Sequence, residues 1–375
     1  MSARSVFEDV GGTADDVAKA QATAKGPGPA RKGIFVWLMI LAALVAIMVL
    51  VGGATRLTDS GLSITEWAPV MGAMPPLSTA DWEAAFAAYQ ETTEFKQQNN
   101  WMTLSDFKPI FWWEWGHRFL GRFIGLVWLV GFLFFLFTRK IPDGWTGRLI
   151  LPGILGGLQG ALGWWMVASG LVGRLDVAPY RLAAHLGLAF IIFAVVIWLA
   201  LRVRKDSVQV LQARRQRDTG LMRWVNLLGI LVFLQILLGA LVAGLDAGQA
   251  YIDWPLMSGD FFPGAAFDLS PAWQNFFENP ALTQFNHRIA AYFVIVATLF
   301  FWWRTRKSGH AKIKAWGGRV LMVVLAQAVL GIITLVHAAP VGLALIHQGL
   351  ALVLTGALVH ARFEIAYPSE QKITA

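Results

Sequence analysis

Long apolar segments constrain the fold of this chain more than any other feature. Residues 33–55 contain no Asp, Glu, Lys or Arg. Neither do residues 320–361, which the turn-forming sequence "HAAPVG" divides into two segments. A helix of roughly 20 apolar residues crosses the hydrocarbon core of a bilayer. The sequence therefore predicts eight transmembrane helices, at roughly 33–55, 112–137, 149–170, 181–201, 223–244, 284–303, 318–337 and 341–361.

The composition agrees with a membrane location. Only 14% of the residues are charged and 56% are hydrophobic, whereas soluble domains carry about 25% charged residues. The absence of cysteine excludes disulfides and every thiolate-ligated metal centre. The sequence therefore predicts an all-α integral membrane protein embedded in the lipid bilayer.

Basic residues are distributed unequally between the two sides of the predicted membrane. Of the 31 lysines and arginines, 23 fall in the two tails and the loops on their side. Because cytoplasmic loops are enriched in Lys and Arg, we expect both termini in the cytoplasm and both long loops outside. The predicted location is the inner (cytoplasmic) cell membrane. Since the net charge of +8 follows the membrane in this way, it indicates no nucleic-acid partner.

An internal repeat divides the chain into two halves. "VGGATRLTDSGLSITEWAPVMG" at 51–72 aligns with "LGALVAGLDAGQAYIDWPLMSG" at 238–259, and shorter motifs follow in the same order in both halves. Each half has four helices, an even number, so the two repeats have the same orientation in the membrane. We therefore predict two pseudo-symmetric four-helix bundles. The aligned pairs in the long motif include Gly52 with Gly239, Asp59 with Asp246, Gly61 with Gly248 and Trp67 with Trp254.

The repeat and the charges together define the predicted domains. Within the first outer loop, "LSTADWEAAFAAYQE" has the Ser/Thr start and the apolar spacing of a short amphipathic helix. The predicted segments are a disordered cytoplasmic tail (1–33), an N-terminal bundle (34–205) with outer loop 56–110, a C-terminal bundle (220–362) with outer loop 245–283, and a second cytoplasmic tail (363–375).

Four of the seven histidines occupy matching positions in the two repeats. His117 aligns with His287 and His185 with His347, each near the start of an even-numbered helix, so all four imidazoles are expected near the outer leaflet. Ionisable side chains inside a membrane are costly and usually functional. Two facing imidazoles in a bundle core suit axial ligation of a haem iron, whereas zinc prefers three or four ligands. The sequence predicts a haem site in each bundle, with hydrogen-bonded core histidines as the alternative.

The remaining polar residues near the spans have two interpretations. Arg118 and Arg288 follow the first histidine of each bundle, where they would pair with haem propionates or act as interfacial anchors. His310, His337 and His360 have no repeat partner and are interpreted as structural.

The two halves differ beside the first histidine. Glu114 stands three residues before His117 on the same helix face, whereas its counterpart is Gln284, which cannot ionise. A buried carboxyl group can move protons or stabilise a developing positive charge. We therefore predict chemistry in the N-terminal half and an electron-holding haem in the C-terminal half. The alternative for Glu114 is a helix pair with Arg118.

Seven motifs together point to a known family. They are "GGATRLTDSGLSITEW", "FKPIFWWEWGHRFLGR", "QGALGWWMVASGL", "AHLGLAF", "GALVAGLDAGQAYIDWPLM", "FNHRIAAY" and "IHQGLAL". Over roughly residues 34–362 the chain resembles the haem A synthase family of aerobic bacteria and mitochondria. Some members carry a cysteine pair in the extracytoplasmic loop; this chain has none, so a thiol-based role there is excluded.

The resemblance implies an oxidoreductase that converts the C8 methyl group of haem O to a formyl group by successive hydroxylations, giving haem A for terminal oxidases. It implies that His287 and His347 hold a permanent haem b. It also implies that His117 and His185 hold the iron of the substrate haem O, with Glu114 essential for the chemistry. The expected partners are the haem O synthase (protohaem farnesyltransferase) and an electron-transfer partner such as a ferredoxin or quinol.

Two other functions compete with this hypothesis. A di-haem b-type cytochrome would transfer electrons without modifying haem, but such proteins carry ligands at both membrane depths. A repeat-built transporter would use histidines as a proton relay, but transporter sites cluster near the midplane at broken helices. The predicted depth of the four histidines counts against both.

Overall fold

The computed structural model describes residues 28–68 and 71–369. This part of the chain contains ten helices of nine residues or more, joined by loops that include shorter helical turns. The ten helices are α1 (Pro29–Leu57), α2 (Thr79–Gln90), α3 (Leu104–Phe137), α4 (Thr146–Val167), α5 (Pro179–Val203), α6 (Ser207–Arg215), α7 (Thr219–Gly244), α8 (Pro280–Thr305), α9 (Ala311–Val336) and α10 (Val341–Ala366).

Eight of these helices are long and apolar enough to cross a membrane. They are α1, α3, α4, α5, α7, α8, α9 and α10, and each coincides with a predicted span. The prediction of an all-α membrane protein with eight spans is therefore confirmed. The short helix expected in the first outer loop is also present as α2, where Ser78 and Asp81 form a capping box.

The predicted tails fall largely outside the described residues. Residues 1–27 and 370–375 are not described, whereas α1 already begins at Pro29 and α10 continues to Ala366. Part of each segment predicted as a tail therefore extends a spanning helix.

Helix α3 begins eight residues earlier than the apolar pattern predicted. Asp106 Oδ2 accepts hydrogen bonds from the backbone N–H (2.9 Å) and the hydroxyl (2.7 Å) of Thr103, which fixes the first turn in a polar sequence. As a result, His117 lies about three and a half turns into its helix. The other three repeated histidines lie about two turns into theirs, as predicted.

The spanning helices form two rings. In the N-terminal half, α3 packs on α1 and α4, and α5 packs on α4 and α1. In the C-terminal half, α8 packs on α7 and α9, and α10 packs on α9 and α7. The rings meet where α5 contacts α7 and α10, and where α10 contacts α1. In each ring the two histidine-bearing helices therefore lie across the bundle from each other.

Apolar side chains fill the inner ends of both rings, where inner and outer name the sides predicted from the distribution of Lys and Arg. One cluster joins α1, α3, α4 and α5 around residues such as Leu38, Leu149 and Val196. A second joins α7 to α10 around Leu228 and Phe301. Lipid is as apolar as these side chains, so close packing stabilises the contacts here. Each repeated histidine lies towards the outer end of its bundle, beyond these clusters.

One arginine joins the outer ends of the two halves. Arg56, at the end of α1, donates to Asp59 Oδ1 (2.9 Å) and to Asp246 Oδ2 (2.8 Å). The two aspartates are repeat-related, and both have left-handed backbone conformations with φ of 48° and 49°. The counterpart of Arg56 in the second repeat is Ala243, so a single side chain serves both repeats.

The first outer loop has an aromatic core of its own. Tyr89 and Phe107 stack at 5.2 Å, and Asn99 Nδ2 donates to the Tyr89 hydroxyl (2.8 Å). Glu94 is buried at the edge of this core, where burial and the nearby carboxylate of Asp176 raise its pKa to about 8. This loop covers the end of the N-terminal bundle that contains Glu114.

Candidate functional site

Each of the four repeated histidines lies against a glycine of a neighbouring helix. A Cβ atom built on any of these glycines would lie about 3.0 Å from the imidazole, whereas ordinary contacts between carbon atoms are roughly 3.5–4.0 Å. Each imidazole therefore fits only because the residue opposite it is glycine, which has no side chain. The distances from the built Cβ positions are 3.0 Å from Gly52 to His117 Nε2, 2.9 Å from Gly163 to His185 Cε1, 3.0 Å from Gly239 to His287 Cε1 and 3.0 Å from Gly331 to His347 Cε1.

Three of these glycines have a glutamine one turn earlier on the same helix. We call these three sets the glutamine–glycine pairs: Gln159–Gly163 on α4, Gln235–Gly239 on α7 and Gln327–Gly331 on α9. In every set the glutamine Nε2 donates to the main-chain carbonyl of the histidine at 3.0 Å and lies 3.1–3.3 Å from a ring nitrogen. The same backbone and side-chain contact thus recurs at His185, His287 and His347.

The fourth histidine lacks this arrangement. The segment "MVLVG" at 48–52 aligns with "QILLG" at 235–239, so Met48 stands where the second repeat has Gln235. The Met48 methyl group packs towards Gly121, with Cε 3.2 Å from the position of a Cβ there. Of the four repeated histidines, His117 alone lies against a glycine that has no glutamine one turn earlier on its helix.

Glu114 lies in a dense set of donors at the outer end of α3. Its residue is 2% exposed, and Oε2 accepts hydrogen bonds from Ser63 Oγ (2.7 Å) and the backbone N–H of Ile64 (2.7 Å). Oε1 accepts from Arg118 Nε (3.0 Å) and Nη2 (2.6 Å). Four donors, two of them from a guanidinium, hold this carboxyl group in one orientation. The Glu114–Arg118 helix pair considered from the sequence is thus present, within a larger network.

Gln284 occupies the corresponding place in the C-terminal half with opposite chemistry. Its Nε2 donates to the carbonyls of Ala247 (2.6 Å) and Tyr251 (3.2 Å), and its Oε1 accepts from Arg288 (2.7 Å). The loop therefore offers acceptors to Gln284, whereas it offers donors to Glu114. Because an amide can donate and a carboxylate cannot, each loop is matched to the residue it contacts.

Both arginines hold the outer loops at equivalent points. Arg118 donates to the carbonyls of Ile64 (2.8 Å) and Glu66 (2.9 Å). Arg288 donates to Tyr251 (3.0 Å) and Asp253 (2.9 Å), which the repeat aligns with those two residues. Arg288 also donates to the carbonyl of Leu256 (2.8 Å). These contacts give each arginine a loop-fixing role that the sequence interpretation did not include.

The three histidines without repeat partners have local structural contacts. His310 is the N-cap residue of α9, and His337 Nδ1 lies 2.8 Å from the carbonyl of Ile333 at the end of that helix. His360 stacks on Trp316 with ring centroids 4.6 Å apart. Their structural interpretation agrees with these positions.

Several site residues escaped the sequence interpretation. Ser63 could not be singled out, because a loop serine has no periodic signal. Gln159 and Gln327 lie one helical turn before Gly163 and Gly331, and they were not singled out from the sequence. Gln235 lies just before the aligned segment. A search for the spacing Gln-x-x-x-Gly in the helix preceding each histidine would have found all three.

Buried polar atoms without a hydrogen-bond partner indicate which group the paired histidines could bind. The Oε1 atom of each glutamine in the glutamine–glycine pairs is buried and has no hydrogen-bond partner among the described residues, and the same holds for His347 Nδ1. Within residues 28–68 and 71–369, no three His, Cys, Asp or Glu side chains gather as a metal-binding group. Two imidazoles from opposite helices fit a planar group whose metal needs only two axial ligands, as in a haem.

The fold and these residues define a class: a multi-pass membrane protein of two four-helix rings, each with one pair of histidines on facing helices. The family model described as COX15-CtaA, cytochrome oxidase assembly protein, matches residues 35–359. The chain belongs to this family.

Several curated relatives cover nearly the whole chain. It is 53% identical to the heme A synthase of Dinoroseobacter shibae over 374 residues, which cover 97% of this chain and 96% of the relative. It is 52% identical to that of Ruegeria pomeroyi, with 98% of each chain covered. The heme A synthase of Paracoccus denitrificans is 47% identical over 379 residues, with 100% of this chain and 99% of the relative covered.

Proposed function

We propose that this chain is a haem A synthase, an oxidoreductase acting on the C8 methyl group of haem O. The observation that carries the proposal is the difference between the two halves. Both have paired histidines, but only the N-terminal half places a buried carboxylate, Glu114, three residues before its first histidine. A plain electron carrier has no need for this difference, and the similar proteins are named for this synthesis.

The residues divide into two haem sites. His287 and His347, both beside glutamine–glycine pairs, would hold the iron of haem b, which supplies one-electron transfer when bound. His117 and His185 would hold the iron of the substrate haem O. The histidine pairs fit these roles because each comes from helices on opposite sides of a ring.

Glu114 acts here as a preorganised negative charge. Oxidation of a ring methyl group develops positive charge, and a carboxylate already fixed by Ser63, Ile64 and Arg118 stabilises it without reorientation. Its four hydrogen-bond donors favour this role over that of a free proton acceptor. The predicted charge-stabilising role is therefore preferred to the predicted basic role.

Arg118 and Arg288 remain the proposed partners of haem propionates. The contacts with loop carbonyls and with Glu114 or Gln284 use most of their donors, but Arg288 Nε is buried and has no partner among the described residues. A propionate at that atom would form a charge-assisted hydrogen bond. The same arginines would then connect the outer loops to the bound groups.

The membrane setting suits the proposed substrate and partners. The prenyl tail of haem O is apolar and would lie between helices or in lipid, with both haem sites towards the outer leaflet and both termini in the cytoplasm. Haem O synthase would supply the substrate, and a ferredoxin or quinol would exchange electrons with the haem b site. The product would serve the assembly of terminal oxidases in the inner membrane.

The proposal is tested by identifying haems in the purified protein. The full chain is co-expressed with a source of haem O, and its extracted haems are identified by mass. Haem A together with haem b is expected. Glu114→Gln should lower haem A by about 100-fold or more while haem b is retained. Glu91→Gln, an exposed carboxylate in the same outer loop, is the matched control.

One result would favour the di-haem cytochrome instead. If the chain carries haem b alone despite ample haem O, and Glu114→Gln changes nothing, the synthase function is wrong. A protein without haem under all conditions would favour the transporter.

A further inference from the structure

The histidines of the two proposed haem sites differ in how firmly the protein holds them. In the C-terminal ring both His287 and His347 contact a glutamine–glycine pair. In the N-terminal ring His185 does, but His117 has Met48 at the aligned position. A thioether is a weak acceptor and has no N–H to donate, so Met48 cannot make the contacts of the glutamine.

The glutamine amides have a specific use beside an iron ligand. Contacts from neighbouring residues fix the orientation of a histidine that binds a metal, and losing them typically lowers metal affinity by about 10–100-fold. Each glutamine holds its Nε2 on the main-chain carbonyl of the histidine and keeps a buried Oε1 without a partner among the described residues. At His347 the ring Nδ1 is buried and unpartnered as well. The amide nitrogen of each glutamine therefore contacts both the backbone and the ring of its histidine.

We propose that the three glutamines are positioning residues that fix their histidines through amide contacts to the main-chain carbonyl and the ring, and that His117, beside Met48, is the exchangeable ligand. The inference rests on the proposed function and deepens it. A permanent haem needs two firmly held ligands, as the C-terminal ring provides. A substrate haem must enter and leave at every turnover, so one weaker ligand allows exchange while His185 keeps the group in register.

The arrangement also explains why the weaker ligand lies beside Glu114. Both residues belong to α3, so the helix that carries the fixed charge also carries the less constrained imidazole. The opposite histidine, on α5, is the one held by Gln159. Release at His117 therefore leaves the substrate attached on the side away from the carboxylate.

The test compares variants of the full chain purified with its haems in detergent. Ferrous haem with two firm histidine ligands does not bind carbon monoxide, whereas loss of one ligand opens the iron, and the absorption spectrum reports the change. Gln235→Met and Gln327→Met should each make the haem b carbon monoxide-reactive and weaken haem b retention about tenfold or more. Met48→Gln adds the missing amide and should lower carbon monoxide binding and haem O exchange at the N-terminal site by a similar factor.

The matched control is Gln348→Met. Gln348 stands next to His347, but its Nε2 donates to the Val49 carbonyl (3.0 Å) between the halves rather than to a histidine. This variant removes an interhelical amide bond without removing a histidine contact, so its haem spectrum should match the wild type.

The possible results distinguish a failure of this inference from a failure of the proposed synthase function. If haem b is present and Gln235→Met, Gln327→Met and Gln348→Met all keep the wild-type spectrum, the positioning role is overturned while the synthase proposal stands. If Met48→Gln leaves carbon monoxide binding at the N-terminal site unchanged, the exchangeable role of His117 is overturned. Absence of haem from the wild-type chain would overturn the proposed function and this inference with it.

Discussion

The imidazole of His287 lies against the backbone of Gly239, with 3.0 Å between Cε1 and the place where a Cβ would stand. A methyl group at residue 239 therefore competes with the ring itself, and overpacking of this kind costs about 1–3 kcal/mol or displaces the smaller group. The same relationship recurs at the other three repeated histidines, so the glycines are part of the site.

Gly239→Ala should consequently reduce bound haem b by about tenfold or more, because a displaced ligand loses its alignment with the iron. The measurement is the haem b content of the purified protein by absorption spectroscopy. Gly349→Ala is the control, because a Cβ there would meet only Leu50 Cδ2 at 3.5 Å, an ordinary contact. Equal haem content in the two variants would contradict a steric role for Gly239.

The loop beside Gln284 offers hydrogen-bond acceptors, whereas the loop beside Glu114 offers donors. We therefore predict that replacing Gln284 by Glu lowers the stability of the protein. In Gln284→Glu, a carboxylate oxygen would face the carbonyls of Ala247 and Tyr251, which now accept the amide hydrogens. Unpaired acceptors buried together should cost about 1–3 kcal/mol, seen as a lower midpoint of thermal unfolding. Gln284→Met, which removes the donor without adding charge, should cost less. If Gln284→Glu were as stable as the wild type, the loop would not discriminate amide from carboxylate.

Ser63 offers a graded test of the charge at Glu114. Ser63→Ala removes one of four donors and leaves Ile64 and Arg118 in place. A hydrogen bond to a charged group contributes about 1.5–3 kcal/mol, so we expect haem A formation to slow by roughly tenfold to 100-fold. The rate is followed by extracting haems over time, with haem b content as the check on folding. An unchanged rate would show that the orientation of Glu114 does not limit the reaction.

Much of this arrangement follows from the sequence, because repetition makes it visible. The pairing of His117 with His287, and the contrast between Glu114 and Gln284, could be predicted since the aligned motifs contain those residues. The eight spans could be predicted because long apolar runs have few other uses. The start of α3 was misplaced because its capping residues lie in polar sequence, outside the apolar run.

The loop contacts could not be predicted for a different reason. Arg118 and Arg288 bind backbone carbonyls, and every residue has a carbonyl, so no side-chain pattern marks the partners. Arg56 is similar, since its bond to Asp246 joins residues 190 positions apart and has no equivalent in the second repeat. Only the folded arrangement of the two rings shows these contacts.

The bridge between the halves gives a prediction about stability. Arg56→Met removes the bonds to Asp59 and Asp246 and leaves both aspartates at the outer surface without their shared cation. The Arg56 side chain is only 10% exposed, so we expect a loss of about 1–3 kcal/mol, measured as a lower unfolding midpoint. Arg174→Met is the comparison, because its pair with Glu278 is 3.4 Å long and about one-third exposed, and such pairs contribute about 0–1 kcal/mol. Equal losses would contradict a bridging role for Arg56.

Glu94 makes the first outer loop sensitive to pH. Burial, reinforced by Asp176, raises its pKa in the folded protein to about 8, above the value near 4.5 of an ordinary glutamate. Between these two values the folded protein holds a proton that the unfolded chain has lost. Stability should therefore fall as pH rises from about 4.5 to about 8 and change little from this group above that range.

Replacing the carboxyl group separates this effect from other titrations. Glu94→Gln keeps the size and the neutral state, so the variant should gain stability relative to the wild type as pH rises towards 8, and the two should converge near pH 4.5. Thermal unfolding midpoints of both proteins across this range supply the measurement. Glu91→Gln is the control, because Glu91 is exposed and its bond to Lys96 lowers its pKa. A constant difference between Glu94→Gln and the wild type at every pH would show that Glu94 does not titrate in this range.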